Sequence, residues 1–135
     1  MRYMLLIYGT ETALPDSERE ACYEESTQLC YRLQAKGQFI SASPLQSVAT
    51  ATSIKVREGH RVVTDGPFAE TREQLGGYFM VEADNLDEAI KIAEQIPAAR
   101  WGTVEIRPMV ELPNLPQKND AAVDLELSGS TNLRK

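Results

Sequence analysis

The side chains best suited to chemistry in this 135-residue sequence are carboxylates, and several of them lie between residues 65 and 78. Asp65 stands before Gly66 and Pro67, and the proline fixes the backbone that follows the carboxylate. Held at the mouth of a pocket, this carboxylate could act as a general base or accept a hydrogen bond. Asp and Gly are also the usual residues of turns, so Asp65 could equally serve only to shape the chain.

Other residues of the same segment are candidate ligand contacts together with Asp65, namely Glu70, Arg72, Glu73 and Tyr78. In an enzyme, Asp65 would be the base, and Arg72 and Tyr78 would hold the substrate. The alternative is a solvated cluster in which the acidic and basic side chains neutralise one another, because exposed ion pairs are common and weak. The residue types alone favour neither interpretation.

Metal and thiol chemistry have little support in the composition. One His and two Cys are too few for a zinc site built from these residues, and we expect no metal and no cofactor. His60, at a predicted hairpin turn, is typical of an exposed residue rather than a catalytic one. Cys22 and Cys30 would lie ~12 Å apart along a helix, whereas a disulfide needs Cα atoms within about 7 Å. The two cysteines are therefore expected to be reduced thiols, which are typical of cytoplasmic proteins.

The charge balance limits the partners of the protein. Lys and Arg number 14 against 20 Asp and Glu, which gives a net charge of −6. A net anion is poorly suited to nucleic acid or to an anionic membrane. No run approaches the roughly 20 apolar residues of a membrane span, and the apolar stretch at residues 3–8 is short for a signal peptide. We therefore expect a cytoplasmic protein that binds neither nucleic acid nor membranes.

Hydrophobic periodicity and turn residues predict two helices and six strands. Ser17 with Glu20 forms a predicted capping box for the first helix, and Asn85 with Glu88 caps the second. Gly76 and Gly77 are predicted to separate elements. The predicted strands are residues 2–8, 39–42, 52–57, 60–64, 78–82 and 103–107, and the predicted helices are residues 16–36 and 86–96.

This order predicts an α+β fold of the ferredoxin-like β-α-β-β-α-β type, with a hairpin at residues 52–64 inserted between the second and third core strands. The helices of such a fold cover only one face of the sheet. The first strand is apolar on both faces, so we expect a second subunit to pack on the other face.

The chain divides near residue 111. We expect a domain over residues 1–111 and a tail or arm over residues 112–135, rich in Pro, Asn, Ser and Gly. Acidic and basic residues cancel within 113–135, so the net charge belongs to the domain. Alternating apolar residues at 123–127 are compatible with a short strand, and such an arm could lie on the partner subunit.

The run Asp65-Gly66-Pro67-Phe68, continued through Gly76-Gly77-Tyr78, resembles the DGPF family of YCII-related proteins. The similarity extends over residues 1–110 and includes the opening strand, the second helix and the run from Gly102 to Pro108. It implies a dimeric α+β barrel, in which two ferredoxin-like sheets pack face to face.

The resemblance also bears on catalysis. YCII proteins proper are thought to be enzymes because a His on the first helix meets an Asp that precedes a Pro after the second. Those positions match Ser26 and Ile96 here, with Pro97 following, so both members of the pair are replaced. The acid–base role implied for the family does not carry over to this sequence.

Two functions remain open at this point. One is a homodimer that binds a small molecule in the barrel pocket, as a binding protein or as an enzyme whose reaction the residues do not define. The alternative is a non-catalytic accessory or regulatory protein that contacts a protein partner, such as a sigma factor system, because genes of DGPF proteins often adjoin sigma-factor genes.

Overall fold

The computed structural model describes residues 1–116, and predictions on the tail beyond, including the strand at 123–127, lie outside these residues. The first strand and helix are followed by one core strand, a separate hairpin, and then a strand-helix-strand unit. Two short 3₁₀ turns cover Val48–Thr50 and Pro97–Arg100. The elements are β1 Arg2–Gly9, α1 Asp16–Ala35, β2 Phe39–Pro44, β3 Thr52–Arg57, β4 His60–Asp65, β5 Gln74–Glu82, α2 Leu86–Glu94 and β6 Thr103–Pro108.

The core sheet has four antiparallel strands in the order β2-β5-β1-β6, and β3 pairs with β4 in a separate two-stranded sheet. The first and third core strands are therefore central, and each strand-helix-strand unit skips a neighbour. This is the split β-α-β arrangement of the ferredoxin-like fold, and the α+β prediction with its inserted hairpin is confirmed.

The core lies between the helices and one face of the sheet. Tyr3 and Leu5 of β1 are buried and stand opposite Val81 and Phe79 of β5. Leu29 and Leu33 of α1 complete the same cluster, as do Ile92 and Ile96 from α2 and the residues after it. Burying each such side chain contributes roughly 1.5–3 kcal/mol, which fixes both helices on this face.

The opposite face of the sheet is also apolar at its centre. Met4, Leu6 and Tyr8 of β1 alternate with the core residues, and they stand beside Tyr78 and Met80 of β5. All five side chains are half-buried. The two-sided apolar pattern predicted for the first strand is therefore present, and both helices lie on the other side.

The start of α1 differs from the prediction, whereas its end agrees with the prediction to within one residue. The capping box predicted at Ser17 and Glu20 is wrong, because the helix begins at Asp16 after an extended Pro15 and has no side-chain cap. Asp16 and Glu18 instead bring negative charge to the first turn. The helix ends at Ala35, one residue before the predicted end; a left-handed Gly37 follows, and the amide of Gln38 donates to the carbonyl of Leu33 at 2.8 Å.

The second half of the fold also departs from the prediction in detail. Gly76 and Gly77 lie inside β5 rather than before it, so this strand begins at Gln74. Asn85 caps α2 as predicted, since its Oδ1 accepts from the amide of Glu88 at 2.9 Å. The helix ends at Glu94 instead of Ile96, because Ile96 already has extended backbone angles and precedes the 3₁₀ turn.

Candidate functional site

A cavity of about 530 Å³ lies between α1 and the sheet. Ile7 of β1 together with Gly77 and Phe79 of β5 forms part of its lining from the helix-facing side of the sheet. On α1 the lining includes Cys22, Ser26 and Cys30, which share one helix face because they are spaced by four residues. The segment after α2 contributes Ile96, Pro97, Ala98 and Trp101.

Two glycines allow other segments to pack closely against the strands β5 and β1. Gly77 lies opposite Ile7, and a Cβ atom at this position would lie 3.0 Å from the carbonyl oxygen of Ser43. A Cβ atom on Gly9 would lie 2.6 Å from the ring of Trp101. The absence of side chains at these positions lets β2 approach β5 and lets the indole pack on the backbone of β1.

Two loops border the cavity and are joined by a single carboxylate. Glu11, in the loop after β1, accepts through Oε1 from the hydroxyl of Ser47 at 2.9 Å and through Oε2 from the amide of Val48 at 2.7 Å. Arg19 of α1 holds the same loop, since its Nη2 donates to the carbonyls of Glu11 and Leu14, both at 3.2 Å. Its Nη1 donates to Asp16 at 2.7 Å. The cavity rim is thereby fixed on both sides.

An ion pair outside the cavity connects α1 to the 3₁₀ turn at Pro97–Arg100. Arg100 of the 3₁₀ turn donates to both carboxylate oxygens of Glu25 at 3.0 Å. The hydrogen bond from this guanidinium lowers the pKa of Glu25, although the pair is exposed and therefore stabilises only weakly. The contact joins α1 to the turn that contributes Pro97 and Ala98 to the lining.

The predicted site residues are separated by the fold. Asp65 ends β4, and Glu70 and Arg72 follow on the connection to β5; all three are exposed and none lines the cavity. Glu73 is half-buried and accepts at 2.8 Å from the hydroxyl of Thr103. Tyr78 is the one predicted contact among the residues that border the cavity, but it stands beside Leu6 on the outer face of the sheet, and its hydroxyl lies 2.9 Å from the Ser41 hydroxyl. A ligand role for the first three stays a prediction.

Several lining residues were not among the candidates selected from the sequence. Glu11 and Arg19 lie at the rim, and Gln74 lines the cavity from the start of β5. Cys30 also lines it, and burial raises the pKa of its thiol, so the thiol is protonated at neutral pH. No motif connects these residues, because they come from segments that meet only in the folded sheet.

The described part of the chain contains neither a cluster of metal ligands nor a membrane-spanning helix. Within residues 1–116, no three His, Cys, Asp or Glu side chains are grouped so that they could hold a metal ion. None of the helices in this range is both long and apolar enough to cross a bilayer.

The fold and the cavity define a small ferredoxin-like α+β protein with a pocket between its first helix and its sheet. The family model described as the YCII-related domain matches residues 1–113, so the chain belongs to the YCII-related family. An uncharacterized protein of Rhizobium meliloti (strain 1021) is 30% identical over 114 residues, which are 81% of this chain and 92% of that protein.

The fold of this protein is similar to that of an enzyme whose structure has been solved. That enzyme is 5-chloro-2-hydroxyhydroquinone dehydrochlorinase (TftG) from Burkholderia phenoliruptrix AC1100 in complex with 2,5-dihydroxybenzoquinone. The TM-score is 0.50 at 13% identity, and the match covers 82% of this chain and 94% of that one. At this identity the likeness bears on the fold, which agrees with the strand order described above.

Proposed function

We propose that the protein is a homodimer that binds a small molecule in the cavity between α1 and the sheet. The observation that carries this proposal is the cavity itself, whose volume of about 530 Å³ falls within the range of small-molecule sites. Its lining is largely apolar with a few polar groups, which is the composition typical of such sites. That the dehydrochlorinase of similar fold was solved with a small molecule agrees with this use of the fold.

The lining supports binding more directly than it supports acid–base catalysis. The positions that match the family's His and Asp are Ser26 and Ile96, and both lie on the cavity wall. Neither side chain transfers a proton readily near neutral pH, and the thiol of Cys30 is protonated there. Asp65 remains the candidate base for a reaction. Since it does not line the cavity of its own protomer, we propose that it would act there only if a second subunit presented it.

The apolar outer face of the sheet supports the dimer. Met4, Leu6, Tyr8, Tyr78 and Met80 form this face, and covering it would remove apolar surface from water. A second copy of the same sheet would supply an equally apolar surface, as an isologous dimer requires.

Ligand binding can be measured through Trp101, which is the sole tryptophan of the sequence and lines the cavity. A set of monocyclic aromatic compounds of different sizes, both neutral and charged, would be titrated while the indole fluorescence is recorded. Ser26→Leu should abolish the fluorescence changes, because the larger side chain extends from α1 into the cavity.

Ser17→Leu is the matched control, since Ser17 lies on the same helix, is exposed and does not line the cavity. Fluorescence changes that survive Ser26→Leu, or an absence of any change in the wild type, would reject the cavity as the binding site. Asp65→Ala forms a third arm, and loss of binding in this variant would assign Asp65 to the site.

A further inference from the structure

We infer that the ligand is electrically neutral and carries both a hydrogen-bond donor and an acceptor, which meet Ser26 and Gln74. This inference rests on the proposed function, because it concerns the same cavity, and it narrows the ligand to uncharged ring compounds such as aryl amides and aryl alcohols. Anionic and cationic compounds of the same shape should bind more weakly, because the two side chains that would meet the ligand are neutral.

The charged groups of the lining are engaged in hydrogen bonds within the protein. Among the described lining residues only Glu11 and Arg19 carry a charge. Both oxygens of Glu11 accept hydrogen bonds, from Ser47 and from the amide of Val48. The guanidinium of Arg19 donates to Asp16 and to two carbonyls. A charged group that meets Ser26 and Gln74 would lose hydration and contact only neutral side chains there, which is unfavourable.

The thiols do not change this balance. The pKa of Cys30 is raised by burial, so this residue is neutral at the cavity wall. Both cysteines are free thiols rather than halves of a disulfide. A neutral thiol is a weak hydrogen-bonding group and gives an ion little stabilisation.

The polar groups that remain free are neutral ones. Ser26 and Gln74 line the cavity and are half-buried, and within residues 1–116 neither side chain has a hydrogen-bond partner. A hydroxyl and an amide can each donate and accept. Both groups are half-buried and open to water, so a ligand gains when it replaces that water with hydrogen bonds to both. Phe79 and Trp101 add aromatic surface against which a flat ring can pack.

The test compares compounds that have the same shape and different charge. At pH 7.5, 4-hydroxybenzamide is neutral and 4-hydroxybenzoate is anionic, while benzyl alcohol is neutral and benzylamine is cationic. Titration against Trp101 fluorescence of the full chain should give at least about ten-fold tighter binding for the neutral member of each pair that binds. Ser26→Ala, which removes only the hydroxyl, should weaken 4-hydroxybenzamide about five-fold.

The outcomes separate this inference from the proposed function. Equal or tighter binding of a charged member that is lost in Ser26→Leu would overturn the inference and leave the cavity as the binding site. Binding by no member of either pair would overturn the inference for ring compounds of this size. It would reject the cavity itself only if the compounds titrated to test the proposed function also leave Trp101 unaffected.

A charge introduced at the wall gives an independent test. Ser26→Lys should reverse the preference, so that 4-hydroxybenzoate binds more tightly than 4-hydroxybenzamide, whereas Ser17→Lys should leave the preference of the wild type. Thermal melting would establish that each variant is folded. If a folded Ser26→Lys variant still prefers the amide, a neutral lining is not the basis of selection and the inference fails.

Discussion

Gly77 illustrates how one residue determines both the shape of the cavity and the packing of the sheet. It occupies a helix-facing position in β5, opposite Ile7, where most residues would extend a side chain toward α1. The Cβ atom of any other residue would lie 3.0 Å from the Ser43 carbonyl and 3.2 Å from the Cα of Pro44. The glycine therefore keeps β2 close and the cavity open.

Replacing Gly77 should affect stability and binding together. Gly77→Val should lower the free energy of unfolding by about 1–3 kcal/mol, because overpacking against a backbone costs this much. It should also abolish the fluorescence response of Trp101 to ligand. Urea unfolding measures the first effect and titration the second.

Gly76→Val is the control for this prediction, since a Cβ at the neighbouring position would meet nothing closer than the Gln74 carbonyl at 4.0 Å. Valine is favourable in strands, so Gly76→Val should be neutral or stabilising. Equal destabilisation by both substitutions would show that the space around Gly77 is not the cause.

At the scale of elements, the loops that border the cavity depend on Glu11. Glu11→Ala removes the acceptor for the amide of Val48 and the hydroxyl of Ser47. Amide exchange at Val48 should become about five-fold faster or more, since a hydrogen bond of this kind contributes about 1 kcal/mol. Hydrogen exchange followed by NMR measures this rate.

Glu20→Ala is the matched control for the loop, because Glu20 is exposed on α1 and makes no contact with the 45–48 segment. Exchange at Val48 should be unchanged in this variant. If Glu11→Ala also leaves the rate at its wild-type value, the carboxylate does not hold the two loops together.

The ion pair between α1 and the 3₁₀ turn predicts a pH dependence. Arg100 lowers the pKa of Glu25 below its ordinary value of 4.5 in the folded state. The ionised carboxylate thus stabilises the fold at pH values above 4.5, and this contribution is lost as the pH falls through the lower, folded-state pKa.

Thermal melts of the wild type and Glu25→Gln test this dependence. The wild type should be the more stable protein at neutral pH, by a small margin, and the difference should vanish in strong acid. Glu24→Gln, at an exposed neighbouring position, should show no such convergence. A difference between wild type and Glu25→Gln that is independent of pH would exclude the ion pair as its source.

Elements with a strong local pattern could be predicted from the sequence, whereas contacts between elements could not. The hairpin bounds agree to within one residue because its strands alternate around a glycine turn. The cap at Ser17 failed because Pro15 is already extended and the helix begins directly after it. In α2, Ile92 is buried whereas Leu86 and Ile90 are exposed, because the packing against the sheet decides which apolar residues are covered.

The residues of the candidate site were harder to predict from the sequence than the helices and strands, because they meet only in the folded protein. Tyr78 borders the cavity, although it stands on the outer face of the sheet, whereas Asp65 and Arg72 belong to the most distinctive motif and do not border it. Glu11 and Gln74 border the cavity from distant segments, and no spacing in the sequence relates them. Their proximity follows from the pairing of β1 with β5, which brings Gly9 opposite Gln74.

At the scale of the whole molecule, the outer face of the sheet is the proposed interface of the homodimer. Leu6 lies at its centre, between Tyr78 of β5 and Glu105 of β6. Glu105 already pairs with Arg107, but Leu6 is only half-buried, so a lysine in its place can stay hydrated in the isolated subunit, which should remain folded. In a dimer, the same charge would be buried against apolar side chains, which is costly.

Leu6→Lys should therefore convert the dimer to a folded monomer, with the dissociation constant raised by roughly 100-fold or more. Sedimentation over a range of protein concentrations measures the constant, and circular dichroism verifies the fold. Leu86→Lys serves as the control, because Leu86 is exposed on α2 at the opposite side of the sheet. A dimer that tolerates Leu6→Lys but not Leu86→Lys would move the interface to the helices. The cavity next to α1 would then lie on the associating side, where one subunit could cover the ligand of the other.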